Sequence, residues 1–165
     1  MSIDFVQLVN KELKRYGVQF TISPKQLRKF SASATLNWNK VKFTQKNNHL
    51  IPANRGIYAF VVEHNGSNLP YHGYIMYIGI SGDSGNSNLR NRYRNYLDEM
   101  KKKKRSSIYY MLNNWGPCLF FHYAEVSDKR VSLHKLEMSM SDALIPPYST
   151  NDFSAEIREG KRAFR

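Results

Sequence analysis

The chain has 165 residues, 41% of them hydrophobic, which fits one domain with a buried core. Its formal net charge of +12 favours polyanionic partners, and nucleic acid, an anionic membrane and acidic protein are all candidates. The single cysteine excludes an intramolecular disulfide and a cysteine-based zinc site. No apolar run approaches the roughly 18 residues that span a bilayer, and the N-terminus lacks the apolar stretch of a signal peptide. We therefore expect a cytoplasmic protein without a membrane partner.

The first 54 residues are predicted to form a helical and irregular extension. Apolar residues recur at helical spacing from Phe5 onward, and Gly17 is a natural stop for that helix. Ser23 followed by Pro24 is typical of an N-cap and a first helical position, which predicts a short helix through Phe30. Residues 31–54 are polar and are interpreted as irregular, with room for one short strand.

Two strands joined by a long hairpin loop are predicted next. The run GIYAFVVE begins at Gly56, and the run YIMYIGIS extends from Tyr74 to Ser81. Both runs are rich in apolar, aromatic and β-branched residues. The segment between them is full of turn residues. It also contains His64 and His72, which we interpret as plain loop residues although they could contact DNA.

Two helices, a third strand and a last helix complete the predicted order. LRNRYRNYLDEM predicts a helix from Leu89, and SSIYYMLNNWG predicts a second helix that ends at Gly116. CLFFHYAEV predicts the third strand. A helix capped by Asp128 or Ser132 then continues to about Ile145. This order predicts an α/β (α+β) fold, a small three-stranded, mainly antiparallel sheet flanked by helices, with a helical N-terminal extension.

One charged residue of the last predicted helix falls where an apolar residue is expected. One candidate inward face consists of Leu133, Glu137, Met140 and Leu144. The other consists of Leu136, Met140 and Ala143, and it leaves Glu137 at a solvated edge. A buried carboxylate loses its hydration unless a cation or hydrogen-bond donors compensate. The spacing does not choose between the two faces.

The helix after the second strand shows the same conflict. Arg92 shares a face with Tyr96 and Met100, whereas Arg90 and Arg94 point elsewhere, as solvated or phosphate-contacting charges. An arginine and a glutamate at buried edges of separate helices could simply pair with each other. They could also flank a reacting phosphate, with the glutamate holding a metal and the arginine neutralising developing charge. Spacing leaves both interpretations open.

Two tripeptides in the hairpin carry a family resemblance. Gly56-Ile57-Tyr58 opens the first strand and Tyr77-Ile78-Gly79 lies near the end of the second. The segment NLRNRYRNYL with Arg92 follows, and later LEMSMSDALIPPY with Glu137. Together they resemble the GIY-YIG nuclease superfamily over roughly residues 56–151. The resemblance implies a metal-dependent DNA endonuclease with a nuclease domain at 55–153, a DNA-contacting extension at 1–54 and a charged tail at 154–165.

The resemblance also implies roles for five residues in a single-metal mechanism. Glu137 would bind Mg²⁺, or Mn²⁺, together with water and the scissile phosphate. Tyr58 would help to generate the nucleophile, and Arg92 would stabilise the charge of the transition state. Tyr77 would orient the nucleophile or bond the phosphate, and Tyr96 would assist proton transfer or hold the phosphate. For the last two tyrosines, the alternative is core packing with a satisfied hydroxyl.

One position departs from the family pattern. Members often carry an asparagine shortly after the proline turn, where it orients the site. Here Ser149 stands at that place, and Asn151 follows two residues later. Either Ser149 substitutes for the asparagine or the loop shifts so that Asn151 reaches the site.

A basic run beside the arginine helix is the candidate grip on double-stranded DNA. It consists of Lys101, Lys102, Lys103, Lys104 and Arg105. Such a run clamps backbone phosphates or forms a solvated linker, and its position favours the clamp. Cutting both strands requires two active sites or sequential nicking, so a homodimer is one option. The alternative functions are a non-catalytic nucleic-acid-binding module and a repair nuclease that cuts only with a partner protein.

Overall fold

A computed structural model of the chain describes residues 14–64, 70–150 and 153–163 together with Val6 and Lys11, with no side-chain description at 161–163. The helices are α1 (Pro24–Lys29), α2 (Leu89–Lys102), α3 (Ser106–Trp115), α4 (Leu133–Leu144) and α5 (Ala155–Ala163). The strands are β1 (Asn39–Lys42), β2 (Gly56–Glu63), β3 (Gly73–Ser81) and β4 (Leu119–Glu125). Two 3₁₀ turns span Gln45–Leu50 and Gly116–Cys118. The strands form one antiparallel sheet in the order β1-β4-β2-β3.

The sheet confirms a mixed fold of helices around an antiparallel sheet, but it has four strands where we predicted three. The additional strand is β1, from the stretch interpreted as irregular. Its sequence, NKVK, contains no apolar run. It is a strand because it pairs along β4, with Asn39 opposite Tyr123 and Lys42 opposite Phe120. Tertiary pairing therefore determines the structure of this segment, and its own pattern does not.

Side chains of β2 alternate between two different cores. Tyr58 and Phe60 face an aromatic core that α2 and α3 cover. Ile57 and Ala59 face an aliphatic core that α4 covers. The two sides of the sheet therefore differ in chemistry: one is built of aromatic rings and the other of small and branched aliphatic groups.

The chain after α4 lies along the edge of β3. Ile145 ends the helix in the left-handed conformation, with φ 43°. The Tyr148 N–H then donates to the Met76 carbonyl at 3.0 Å. The Ser149 hydroxyl accepts from the Ile78 N–H at 3.3 Å. These bonds bring the proline turn to the side of the sheet that carries the tyrosines.

Arg55 fastens two loops to the start of β2. Its guanidinium donates to the carbonyls of Val126 at 3.1 Å and Val131 at 2.6 Å, and it pairs with Asp83 at 3.0 Å. Gly82 adopts φ +88° directly against Arg55, and a side chain there would be only 2.9 Å from the arginine Cβ. The beginning of β2 is therefore held in a fixed position relative to the loops that precede α2 and α4.

Arg15 and Tyr16 of the N-terminal extension pack on α3. The Tyr16 and Trp115 rings meet edge to face at 5.4 Å between centroids. The Tyr110 hydroxyl and the Asn114 side chain both donate to the Arg15 carbonyl, at 2.8 Å and 3.2 Å. Within the described residues, no helix is both long enough and apolar enough to span a bilayer.

Candidate active site

Four of the five candidate catalytic residues meet on the aromatic face of the sheet. The Tyr58 and Tyr96 hydroxyl oxygens are 2.8 Å apart, within hydrogen-bond distance. Arg92 donates from Nε to the Tyr58 hydroxyl at 3.1 Å. The Tyr77 ring lies 6.4 Å from that of Tyr58 and 6.1 Å from that of Tyr96. We call these four residues the tyrosine cluster.

The position of Tyr58 depends on a glycine in the neighbouring strand. Gly79 pairs with Tyr58 in the sheet, and a Cβ there would lie 2.3 Å from the Tyr58 hydroxyl oxygen. The opposite side of the Tyr58 ring stacks on Phe121 at 5.1 Å. The glycine of the second tripeptide therefore leaves the space that the tyrosine of the first one occupies.

Helix α2 supplies the arginine. Its N-cap is Asn88, whose side chain accepts from the Asn91 N–H. Arg92 is half-buried at the edge of the packed face. The prediction that Met100 shares this inward face is wrong, since Met100 is 41% exposed. The buried position in the last turn belongs to Glu99, which bonds to Arg105 and holds the start of α3 against α2.

Burial controls the protonation of the two inner phenols. Tyr58 and Tyr96 are fully buried. Burial raises the pKa of Tyr58 well above 10, and Tyr77 adds to the increase, while Arg92 and the bond to Tyr96 oppose it. Burial likewise raises the pKa of Tyr96. Both groups are phenols at neutral pH. Arg92 is charged, as arginines in proteins are, and its interaction with Tyr58 raises its pKa further.

Glu137 is buried on α4, with 6% of its surface exposed. The alternative that placed it at a solvated edge is therefore wrong, although Leu136 and Met140 are buried as that alternative required. Helix α4 has a wide buried face because it packs on both the sheet and α1. It covers the aliphatic side of the sheet, opposite the Tyr58 ring.

The donor chemistry of Glu137 fits a hard divalent cation. Among the described residues, no group of three or more histidine, cysteine, aspartate or glutamate side chains could enclose a metal ion. A single carboxylate is nevertheless a sufficient protein contribution for Mg²⁺, which usually keeps several waters and shares substrate phosphates. Glu137 is therefore the candidate residue for holding Mg²⁺ or Mn²⁺.

The proline turn contributes a buried hydroxyl. Ser149 is fully buried and bonds the backbone of Ile78, which directly follows Tyr77. It therefore supports the strand that carries Tyr77. Asn151, the other candidate for the orienting position, lies outside the described residues.

The basic run does not form one uniform surface. Lys101 and Lys102 end α2, and Lys103 follows in the left-handed conformation with φ 52°. Lys104 is exposed. Arg105 precedes α3 and pairs with Glu99 at 3.3 Å. The run thus divides into exposed lysines and an arginine fixed by a carboxylate.

The other predicted polar residues have ordinary positions. Arg90 donates from Nε to the Ile51 carbonyl at 2.7 Å, which makes it a structural contact between α2 and the preceding loop. Arg94 is exposed on α2. His64 is exposed, and His72 lies 3.0 Å from the Pro70 carbonyl.

The sequence did not reveal a second buried polar cluster at the other end of β2. The Glu63 side chain is fully buried and lies 2.9 Å from the Lys40 ammonium group. Tyr71 donates to it at 2.8 Å, and His122 Nε2 lies 3.3 Å away. We call these four residues the Glu63 cluster. The only signal was a glutamate at the end of an apolar run, which is ordinary at a strand end.

In comparisons with known proteins, no protein-family model, curated protein or solved structure matched the chain. The motif residues and their geometry therefore carry any assignment of function.

Proposed function

We propose that this protein is a metal-dependent endonuclease of the GIY-YIG type that hydrolyses DNA phosphodiester bonds. The observation that carries the proposal is the convergence of Tyr58, Tyr77, Arg92 and Tyr96 from two strands and one helix. A core that needed only packing would not require an arginine bonded to a buried phenol. A cation beside phenols is the arrangement that phosphoryl chemistry uses to stabilise developing negative charge.

In the proposed mechanism, Arg92 binds the scissile phosphate and stabilises the additional charge of the transition state. Tyr58 accepts a proton from the attacking water as it passes its own proton to Tyr96, Tyr96 passes one to Tyr77, and Tyr77 protonates the leaving oxygen. Because burial keeps Tyr58 protonated, it can transfer a proton only while Arg92 stabilises the phenolate. Glu137 lies on the helix that covers the other side of the sheet, mainly along β3, the strand that carries Tyr77. Mg²⁺ or Mn²⁺ held there would supply Lewis-acid activation of a phosphate and a more acidic bound water.

The proposed substrate is double-stranded DNA. A net charge of +12 provides the electrostatic attraction, and the run from Lys101 to Arg105 adjoins the tyrosine cluster through Arg105. Such contacts favour the phosphate backbone over individual bases. A homodimer would supply two active sites for a double-strand cut, and the proposed location is the cytoplasm.

The experiment that tests the proposal is cleavage of supercoiled plasmid with Mg²⁺, Mn²⁺ or EDTA. Glu137→Ala should abolish metal-dependent nicking and linearisation. Glu156→Ala, which removes an exposed carboxylate on α5, should cut like the wild type. Equal cutting by the wild type and Glu137→Ala would contradict the metal assignment. Binding without cutting under every metal condition would contradict the catalytic proposal.

One observation favours a second candidate function, the non-catalytic nucleic-acid-binding module. Both inner phenols are fully buried, so a substrate reaches them only if a covering side chain moves. A binding module would keep this closed arrangement permanently. Cleavage that begins when branched DNA or a partner protein is added would instead favour the partner-dependent repair nuclease.

A further inference from the structure

A polar cleft of about 490 Å³ adjoins the tyrosine cluster at Tyr77. Its walls come from the connection between α2 and α3 and from the segment that follows the proline turn. The side chains that line it and can donate hydrogen bonds are Tyr77, Lys104, Arg105, Ser106, Ser107, Tyr148 and Thr150. The described lining includes two cationic side chains and no carboxylate, so the cleft suits an anion.

Arg105 connects this cleft to the candidate catalytic residues. Its guanidinium carbon lies 5.0 Å from the centre of the Tyr96 ring. Its backbone N–H and Nε both donate to the Glu99 carboxylate. The side chain is therefore held in place, yet 42% of it remains exposed. A guanidinium fixed in this way binds an anion without the entropy loss that a free side chain would suffer.

Two cations consequently flank the bonded pair of phenols. Arg92 contacts Tyr58, and Arg105 lies over Tyr96. A nucleic-acid strand carries one negative charge per nucleotide. A strand whose scissile phosphate lies at Arg92 must place its neighbouring phosphate nearby, and the cleft is the adjoining cationic surface.

We infer that the cleft is a subsite for the phosphate next to the scissile one, with Arg105 as its anchor and Ser107 and Thr150 as hydroxyl donors. The inference rests on the proposed nuclease function. It extends that function because it gives Arg105 a specific phosphate to bind, whereas the exposed lysines attract the strand in general. It assigns the strand a path across Tyr77, from Arg92 to the first turn of α3.

The test is an NMR titration of ¹⁵N-labelled protein with hexathymidylate in EDTA, where no metal-dependent cutting occurs. The subsite predicts shifts of the Ser107 and Thr150 amides as well as of the Arg92 Nε–H signal. A parallel titration with inorganic phosphate distinguishes a strand subsite from a simple anion site. The strand should bind at least about 10-fold more tightly than free phosphate, because it contacts both arginines.

Three variants, each of which replaces one cation by glutamine, show which side chain binds the strand. Arg105→Gln should remove the cleft shifts, keep the Arg92 shift and weaken hexathymidylate binding about 10-fold. Lys104 also lines the cleft and is exposed. Lys104→Gln should therefore reduce the affinity for hexathymidylate a few-fold without affecting folding. Lys102→Gln is the matched control, since Lys102 lies two residues away and pairs with Asp98 outside the cleft. The Lys102→Gln variant should bind hexathymidylate more tightly than the Lys104→Gln variant does.

The outcomes separate the two proposals. A shift at Arg92 without shifts in the cleft overturns the subsite and leaves the proposed function intact. Cleft shifts without metal-dependent plasmid cutting preserve the subsite and overturn the catalytic proposal. Equal affinities of Lys104→Gln and Lys102→Gln overturn the subsite even if Arg105→Gln does not fold. No shift with either probe overturns the subsite, and plasmid cleavage then decides the proposed function by itself.

Discussion

The tyrosine cluster and the Glu63 cluster lie at opposite ends of β2, and both bury titratable side chains. Their pKa values nevertheless move in ways that favour opposite charge states. Burial dominates around Tyr58, which stays a neutral phenol despite Arg92. At Glu63 burial also raises the pKa, but hydrogen bonds from Lys40, Tyr71 and His122 outweigh it, so the net pKa is lowered and the group stays a carboxylate.

The difference supports the proposal that the tyrosine cluster, and not the Glu63 cluster, carries the chemistry. Around Glu63, three donors serve one charged acceptor, which is the arrangement of a structural tie between strands. Around Tyr58, one arginine faces two phenols that both retain protons. The tyrosine cluster therefore holds transferable protons beside a cation, whereas the Glu63 cluster holds a carboxylate whose charge is already stabilised by its donors. Mutations in the tyrosine cluster should accordingly lower mainly the cleavage rate, and mutations in the Glu63 cluster mainly the free energy of unfolding.

The largest expected effect is that of Tyr58→Phe on DNA cleavage. Loss of the hydroxyl removes the proposed proton relay, so the cleavage rate should fall by about 10²–10⁴-fold. The free energy of unfolding should fall by only about 1–3 kcal/mol, because the Tyr96 hydroxyl loses its partner. Plasmid cleavage and urea denaturation measure the two effects.

Tyr93→Phe is the matched control for that prediction. Tyr93 is equally buried on α2, but its hydroxyl bonds the Thr44 backbone, away from Arg92. Its loss should reduce stability similarly and leave the cleavage rate within a few-fold of wild type. If both variants lost cleavage equally, the tyrosine cluster would be structural and the comparison with Glu63 would fail.

Glu63→Ala should show the reverse pattern, with a cost in stability and little loss of activity. Lys40, Tyr71 and His122 lose their common acceptor, although Lys40 is 40% exposed and can be hydrated. We expect the free energy of unfolding to fall by about 2 kcal/mol. Urea denaturation of this variant beside the exposed-site variant Glu156→Ala provides the measurement. A drop in cleavage at temperatures where the variant is folded would show that the Glu63 cluster also serves the reaction.

The smallest effect is a pH dependence that sharpens the assignment of Glu63. Its folded pKa lies below the ordinary value of 4.5, so its contribution is fully present above that pH and is lost as the pH falls through the folded pKa. The difference in unfolding free energy between wild type and Glu63→Gln should therefore narrow below about pH 4.5. If this difference in unfolding free energy stayed constant down to the lowest measurable pH, the charge of the Glu63 carboxylate would add nothing to stability.

Local sequence pattern was sufficient for the central hairpin. GIYAFVVE corresponds to β2 residue for residue, and β3 begins one residue before its predicted start at Tyr74. Both strands are dense runs of β-forming residues, so the sheet reinforces a preference that they already have. β1 has no such preference, and only the free edge of β4 makes it a strand.

The residues of the candidate site could be predicted from the sequence only where a motif or a helical spacing identified them. The tripeptides indicated Tyr58 and Tyr77, and helical spacing indicated that Arg92 faces inward. The roles of Glu99 and Arg105 depend on how α2 meets α3, and no local pattern expresses that packing. The run KKKKR looked uniform in the sequence, but its last residue has different partners from the four lysines before it.

The two borders of the sheet differ in how they discourage association between copies of the chain. At β3, the segment after the proline turn bonds to the outer backbone and occupies the edge. At β1, the outer border is a four-residue strand with Lys40 and Lys42, and short charged edges resist pairing with another strand. Solubility at high concentration therefore depends on two lysines at one border and on a docked turn at the other.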